Sequence, residues 1–307
     1  MDIEDYKTKL SKLRTAPNSP HKICMLLAVL DLARSGLLTT NRIEYTQPLL
    51  ERYSLYFNAV KNDRNHPNPY FPFYHLSGNL RNGEQSFWHL VSLPGKQLMR
   101  DPRSHRDIND NISHAKLDPD LFILLQDPIS REILADSLAR HWLDRQFADL
   151  QNIIEEGKLI SKYERELRVL DDRVVSEPVP PEYIRSPAFR RVVLETYDYR
   201  CAATGLRLIV NDVAMVEAAH IRPFCETGDD DLRNGLALTP NMHWAMDAYL
   251  IAPGPDYKWH VSKSLDDRIP DHRQITDLDH KAIFLPKEQR LWPKQEVLEW
   301  RHSQLNR

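Results

Sequence analysis

A proline-rich segment near the middle of the chain restricts its folding more than any other sequence feature. The stretch DDRVVSEPVPPEYIRSP, residues 171–187, contains four prolines in seventeen residues. Because proline fixes its own φ and lacks an N–H donor, no long helix or sheet strand is expected to run through this stretch. The 307-residue length also exceeds that of a usual single domain. The segment therefore predicts two domains, residues 1–155 and 185–307, joined by a helical spacer and linker over residues 156–184.

The first domain alternates helical and extended patterns. The stretches ICMLLAVLDLARSG and IEYTQPLLERYSLYFNAV have the apolar spacing of helices, whereas YFPFYHLSG and SFWHLVSL predict short extended pieces. From about Leu117 to Leu170 the apolar spacing is helical again. These patterns predict an α+β fold with a mixed helix and strand domain at the N-terminus.

The composition favours a soluble protein. Hydrophobic residues make up 41% of the chain and charged residues 28%, which is enough apolar material for packed cores. No apolar run approaches the roughly 18 residues of a membrane span, and the N-terminal MDIEDYKTKL is acidic where a signal peptide is basic, so we expect a cytoplasmic protein. The net charge of -3 gives no overall attraction for nucleic acid, so DNA contacts must come from local basic surfaces.

The densest functional pattern lies in the second domain. The stretch MVEAAHIRPF predicts a short strand that ends at His220. After the acidic loop CETGDDDLRNG, the stretch LALTPNMHWAMDAYLI begins extended and becomes helical near Asn241. This order of strand, loop, strand and helix places Asn234 at the exit of the loop and His243 at the start of the helix.

These side chains suit the hydrolysis of a phosphodiester. A histidine that is neutral near pH 7 accepts a proton from water, and a histidine on a helix holds a divalent cation that stabilises charge on the phosphate and the leaving oxygen. We expect Asn234 to fix the loop through hydrogen bonds to the backbone. Trp244 and Met246 are interpreted as core residues. The run from Asp229 to Asp231 is interpreted as a solvated loop, or, if it lies near a metal, as a group that tunes cation affinity.

The stretch VEAAHIRPF…DDDLRNGLALTPNMHWAMDAYLI resembles the HNH nuclease family, whose ββα-metal fold joins two strands and a helix around one metal ion. The resemblance covers Val193 to about Pro253. It implies that His220 is the general base, Asn234 the organising residue and His243 a ligand of Mg²⁺ or Mn²⁺.

Two departures from the family pattern matter. Many members carry an aspartate as second metal ligand directly before the first histidine, but this chain has Ala219 there. The missing carboxylate is left open among Glu217, Asp231 and Asp247. Many members also carry two CxxC pairs as a zinc clamp, whereas this chain has three cysteines and no such pair, so no structural zinc is expected.

Four further histidines are interpreted as surface residues: His260, His272, His280 and His302.

The stretches SPHKICMLLAVLDL, NPYFPFYHLSG and SFWHL resemble the sulfur-binding domain of type IV restriction endonucleases, which recognise phosphorothioate-modified DNA. The resemblance covers roughly residues 10–155. Sulfur is softer and less hydrated than oxygen, so apolar rings and a proline suit it. The resemblance implies a wall of Phe71, Pro72, Phe73 and His75. His21 and Lys22, at a helix N-terminus, would hold the DNA backbone. Loop residues placed to read bases are Asn62, Arg64, Asn79 and Arg81.

The sequence therefore predicts a type IV, modification-dependent endonuclease that binds double-stranded DNA. Because one such site cuts one strand, we expect a homodimer, with the helices from Ser130 to Leu170 as one candidate surface. One alternative is an HNH restriction enzyme that reads a methylated base, with Trp88, Tyr70 and Tyr74 as an aromatic cage, or unmodified DNA. Another alternative is a DNA-binding protein with a degenerate nuclease domain. It is suggested by Ala219, which stands where many family members carry the aspartate ligand.

Overall fold

The computed structural model describes residues 1–16, 19–98, 101–143, 147–169, 179–210 and 213–305. The chain divides into two compact units, Met1–Lys162 and Tyr163–Arg307. Residues 171–178 of the predicted linker lie outside the described residues. In the part of the chain that is described, no helix has the length and apolarity needed to cross a bilayer.

Unit 1 is built mainly of helices around one buried helix. Its elements are α1 (Ile3–Ser11), α2 (His21–Arg34), α3 (Gln47–Val60), α4 (Tyr70–His75), β1 (Trp88–Ser92), α5 (His105–Asn111), β2 (Ile112–Leu117), α6 (Pro119–Gln126), α7 (Pro128–Trp142) and α8 (Phe147–Arg168), which extends into unit 2. Every residue of α2 from Ile23 to Arg34 is buried. The helix is therefore central to the core, as expected for a stretch that is apolar on nearly all sides. Strands β1 and β2 pair antiparallel, with Trp88 opposite Leu117.

The prediction of an extended piece at YFPFYH is wrong, because these residues form helix α4. Pro69 precedes the helix and Pro72 lies in its first turn, where the missing N–H costs no hydrogen bond. Phe73 and Tyr74 face the core. The other predictions hold: the two apolar stretches form α2 and α3, and SFWHLVSL contains strand β1.

Unit 2 holds the predicted order of strand, loop, strand and helix. After α9 (Glu182–Thr196), its elements are β3 (Ile209–Val210), β4 (Val213–Ala214), β5 (Glu217–His220), α10 (Phe224–Thr227), β6 (Gly235–Leu238), α11 (Pro240–Asp247), β7 (Ile251–Pro253), β8 (Trp259–Val261), α12 (Arg273–Thr276) and α13 (Gln295–Gln304). Strands β5 and β6 pair antiparallel, and the register runs from Glu217 opposite Leu238 to His220 opposite Gly235.

Part of the predicted linker is helical. Residues Glu182 to Ile184, the end of the predicted spacer and linker, form the start of α9. Pro180 and Pro181 precede this helix, where proline is tolerated. Pro187 lies inside it, and the apolar residues that follow supply the face that packs in unit 2.

Candidate active site

The pair of strands β5 and β6, with helices α9 and α11 packed on it, positions the site. His220 lies opposite Gly235. A Cβ atom at Gly235 would lie 2.7 Å from Cγ2 of Val193 and 2.9 Å from Cζ of Phe189. The glycine that follows Asn234 is therefore needed for α9 to approach the strand pair closely.

His220 is held by a buried carboxylate and an aromatic ring. Its Nε2 lies 2.8 Å from Oδ1 of Asp230. Its ring stacks on Phe189, with 4.0 Å between the centroids and 2° between the planes. Because a carboxylate only accepts hydrogen bonds, Nε2 is the donor, and Nδ1 keeps its lone pair in the neutral ring.

Asp230 is the centre of a hydrogen-bond network. Its side chain is fully buried and accepts from Nη1 of Arg185 at 2.9 and 3.1 Å and from the hydroxyl of Tyr163 at 3.1 Å. Burial, followed by the charge of Asp230, raises the pKa of Tyr163, which therefore remains a donor. The guanidinium of Arg185 lies 3.5 Å from the ring centroid of Phe224. The network fixes the carboxylate to which His220 is bonded.

Asn234 joins the two ends of the loop between the strands. Its Nδ2 donates to the carbonyls of Arg222, at 3.0 Å, and Asp229, at 3.1 Å. Its Oδ1 accepts from the backbone N–H of Arg222 at 2.9 Å. These are the contacts expected of a residue that fixes the loop, while its part in catalysis stays a prediction.

His243, on helix α11, lies next to the carboxylates of Glu217 and Asp247. Its Nδ1 donates to Oε2 of Glu217 at 2.9 Å, and its Nε2 lies 3.4 Å from Oδ2 of Asp247. The side chains of Glu217 and Asp247 are 52% and 59% exposed, so water and ions reach them. The other carboxylate oxygen of Asp247 is 3.5 Å from Nη2 of Arg301.

Asp231, the third candidate carboxylate, is engaged elsewhere. Its oxygens accept from Arg233 at 2.6 Å and contact Nζ of Lys294 at 2.8 Å. Burial alone would raise the pKa of Asp231, but these hydrogen bonds outweigh it and lower the pKa to about 2. Glu217 and Asp247 therefore lie next to His243, whereas Asp231 is paired with the positively charged side chains of Arg233 and Lys294.

The pair of His243 and Asp247 has the spacing of two ligands of one divalent metal ion, while Glu217 lies on the other nitrogen of His243. Two ligand atoms of one cation at about 2.1 Å each lie roughly 3.0–3.4 Å apart for angles near 90–110°. The 3.4 Å between Nε2 of His243 and Oδ2 of Asp247 agrees with this separation. Carboxylate oxygens suit Mg²⁺ and Mn²⁺, and an imidazole is tolerated by Mn²⁺.

Sequence reasoning missed the residues that hold His220. Asp230 was placed in a solvated loop, because nothing in a run of three aspartates marks the buried one. Its partners Arg185 and Tyr163 lie 45 and 67 positions away in the chain. The interpretation of Trp244 as a core residue is also wrong, since this side chain is 66% exposed, whereas Met246 is buried as expected. Trp244 lies on the outer face of α11, beside His243.

The two residues predicted to bind the DNA backbone, His21 and Lys22, lie at the N-terminus of α2. The ring of His21 bonds to Oγ of Ser19 and to the carbonyl of His66, both at 2.9 Å. Burial, with a smaller contribution from Arg14, lowers the pKa of Lys22 to about 8. Lys22 is therefore a partly desolvated amine whose charge changes close to neutral pH.

The predicted sulfur wall is only partly on the surface. Phe71 is 46% exposed, and its ring centroid lies 4.2 Å from that of His75. Nε2 of His75 lies 3.1 Å from Oδ1 of Asp101. Pro72 and Phe73 are buried, and Asn79 is exposed. Phe73 packs edge-on against Tyr45 and Trp88 in the core, which also places Trp88 of the alternative aromatic cage inside the core.

Comparison with known proteins assigns the class of the second unit. A family model described as HNH endonuclease matches residues 201–252, so unit 2 contains an HNH endonuclease domain. Among solved structures, the chain is similar to a modification dependent TagI restriction endonuclease, with a TM-score of 0.31 and 22% identity. The similarity covers 44% of this chain and 41% of that one, so the chain spans less than half of that protein. No curated protein matches the chain.

Proposed function

We propose that this chain is a modification-dependent restriction endonuclease that hydrolyses phosphodiester bonds in double-stranded DNA with Mg²⁺ or Mn²⁺. The observation that carries the proposal is the convergence of Glu217 and Asp247 on His243, beside a strand that ends in His220. The HNH match over residues 201–252 supports the nuclease class.

His243 and Asp247 are assigned as the ligands of the cation, which when bound stabilises charge on the scissile phosphate and the leaving oxygen. They lie four positions apart on α11 and therefore on one face of the helix. Glu217 fixes the tautomer of His243, because Nδ1–H donates to it and Nε2 keeps its lone pair. Since side chains alternate along a strand, Glu217 and Ala219 of β5 share a face. Glu217 thus lies on the face where the family pattern has its ligand carboxylate, and here it orients His243 instead of binding the cation.

His220 is assigned as the general base. Nδ1 of His220 accepts a proton from water while the water oxygen bonds to phosphorus and the bond from phosphorus to the leaving oxygen breaks. Asp230 stabilises the imidazolium that results and keeps the ring in position, as a carboxylate does in other histidine-based sites. Asn234 holds the loop that carries Asp230 against the end of β5.

Unit 1 is assigned as the reader of phosphorothioate DNA. The exposed ring of Phe71 and the half-buried ring of His75 supply a ring pair for a soft, weakly hydrated sulfur atom. Lys22 and the free N–H groups at the start of α2 supply positive potential for the remaining phosphate charge. Pro72 and Phe73 support the short helix α4 from the core side.

One such site cuts one strand, so double-strand cleavage needs two chains or two cleavage events, and the active form is proposed to be a homodimer. The helices from Ser130 to Leu170 are the candidate surface, with Leu170 outside the described residues. Ile133 on α7 and Leu159 on α8 are exposed apolar residues there. Light scattering that finds only monomer at all working concentrations contradicts this part of the proposal.

The proposal is tested with matched duplexes that differ only in a phosphorothioate, with cleavage measured for the native chain and binding for His220→Ala. We expect cleavage of the modified duplex alone and selective binding by the variant. Equal cleavage of both duplexes would support the nuclease assignment and contradict the assignment of unit 1 as a reader of phosphorothioate DNA. Selective binding without any cleavage in Mg²⁺ or Mn²⁺ would contradict the nuclease.

A further inference from the structure

Three side chains outside the nuclease site form a second candidate metal site. One ligand atom from each of His260, Asp279 and His280 lies within 4.8 Å of those of the other two. We call these three residues the histidine cluster. His260 is on strand β8, while Asp279 and His280 follow α12.

The backbone holds the two parts of the histidine cluster together. The N–H of His280 donates to the carbonyl of Trp259 at 2.8 Å, and the N–H of Trp259 donates to the carbonyl of Lys281 at 2.8 Å. Oδ1 of Asp279 accepts from the N–H of Val261 at 3.1 Å. His280 has a φ of 59°, in the left-handed region that few side chains adopt. The cluster is therefore part of the fixed structure around β8.

The ring of His260 occupies a space that the chain keeps open for it. A Cβ atom at Gly254 would lie 2.5 Å from both Cδ2 and Nε2 of His260. Nε2 of His260 also lies 2.9 Å from Oδ1 of Asp256. A carboxylate that bonds one ring nitrogen orients the imidazole and makes the other nitrogen a better metal ligand.

A third imidazole adjoins the two of the histidine cluster. The ring centroid of His302, on α13, lies 4.5 Å from that of His260, and the ring centroid of His280 lies 5.4 Å from that of His260. Three imidazoles and two carboxylates thus meet within one small region that contains β8, the turn after α12, and α13.

We propose that His260, Asp279 and His280 bind one zinc ion or a similar divalent transition metal, separate from the nuclease cation. Two imidazoles and one carboxylate form a donor set that favours zinc over magnesium. Zinc binds four ligands in a tetrahedron, so ligand atoms lie roughly 3.4 Å apart. The exposed side chains of Asp279 and His280 would rotate to bring the ligand atoms from within 4.8 Å of one another to this separation. The fourth ligand is water or His302.

The ion has a structural role in this proposal. It fastens the turn at Asp279 and His280 to β8, in a stretch of chain that otherwise has only short helices between β8 and α13. The expectation of no structural zinc considered cysteine ligands alone. The histidine cluster instead offers two imidazoles and one carboxylate as zinc ligands.

The test measures zinc binding to untagged, full-length protein by equilibrium dialysis, with Co²⁺ absorption as a second readout. All proteins carry His243→Ala, so that the nuclease site does not compete for the ion. We expect one zinc per chain in this background, none after His280→Gly, and one after the control His66→Ala, which removes an exposed histidine of unit 1. Glycine is used at position 280 because it tolerates the positive φ.

His260→Gln provides a second variant that does not alter the strained position, and we expect it to abolish zinc binding as well. Circular dichroism of the metal-free proteins checks that each variant folds. Added zinc should also raise the unfolding temperature of the His243→Ala protein and leave that of the His280→Gly protein unchanged. Retention of one zinc by either cluster variant, or the absence of zinc in the His243→Ala protein, overturns the proposal.

Discussion

Glu217 and His243 lie 26 positions apart in the chain, and Oε2 of one accepts a hydrogen bond of 2.9 Å from Nδ1 of the other. This contact spans the strand pair and helix α11, so it depends on the register of β5 against β6 and on the start of the helix. It sets which nitrogen of His243 faces Asp247. The geometry of the proposed metal site therefore depends on the contact between Glu217 and His243, which the packing of α11 on the strand pair makes possible.

Substitution of the carboxylates near His243 should separate their roles. Asp247→Asn removes a ligand and should reduce Mn²⁺ affinity and cleavage most. Glu217→Gln removes only the group that orients His243, and we expect a loss of metal affinity of about 10- to 100-fold. Asp231→Asn, the matched control, should leave metal affinity unchanged, because its carboxylate is bonded to Arg233 and Lys294. Calorimetric titration with Mn²⁺ measures all three, and equal losses for Asp231→Asn and Asp247→Asn contradict the assignment.

Asp230→Asn should impair catalysis more than DNA binding. The amide no longer fixes Nε2–H of His220, and the base loses the carboxylate that stabilises its protonated form. We expect kcat to fall by about 100-fold or more, with the DNA dissociation constant nearly unchanged. Asp229→Asn, at the half-buried neighbouring position, serves as control. A fall in kcat of the same size in both variants would show that the loop, and not Asp230, is responsible.

The ion pairs of Asp231 should stabilise the fold in a pH-dependent way. Its pKa is lowered from 3.8 to about 2, so its contribution is present above pH 3.8 and is lost as the pH falls towards 2. The shift corresponds to about 2 kcal/mol of unfolding free energy at pH 7. Asp231→Asn should lose this amount at pH 7, and the difference from the native chain should shrink below pH 4. Urea unfolding at several pH values measures it, and a difference that is independent of pH contradicts the explanation.

The amine of Lys22 should make DNA binding sensitive to pH. Its pKa of about 8 means that the free protein loses this charge as the pH rises through 8. If Lys22 contacts a phosphate, binding should weaken between pH 7 and pH 9, and Lys22→Met should remove the dependence and reduce the salt slope by about one. Lys22→Arg keeps the charge and should bind equally at both pH values. Unchanged binding by Lys22→Met at pH 7 would exclude Lys22 from the interface.

The local order of the nuclease motif could be predicted because short-range patterns determine it. The alternation in VEAAH, the asparagine and glycine at the loop exit, and the proline before the helix each act over a few residues, and the structure has β5, β6 and α11 there. Asp230 could not be predicted as buried, because its burial depends on Arg185 and Tyr163, which are distant in sequence. Helix α4 was missed because its aromatic residues also fit an extended pattern.

Surface and core positions were harder to assign than secondary structure. Trp244 follows His243 on α11, and its exposure depends on which face of the helix packs against the strands. The histidines at positions 260, 280 and 302 were each interpreted alone, whereas the fold gathers them around β8. Such groupings arise from tertiary contacts that one sequence does not reveal.

Cleavage of phosphorothioate-containing double-stranded DNA by the native chain and by His220→Ala, each with Mn²⁺ and with a chelator, tests the central claim most directly. We expect cleavage by the native chain with Mn²⁺, none with the chelator, and a loss of at least about 100-fold in His220→Ala with DNA binding retained. Cleavage by His220→Ala at the native rate, or cleavage in the chelator, would contradict it.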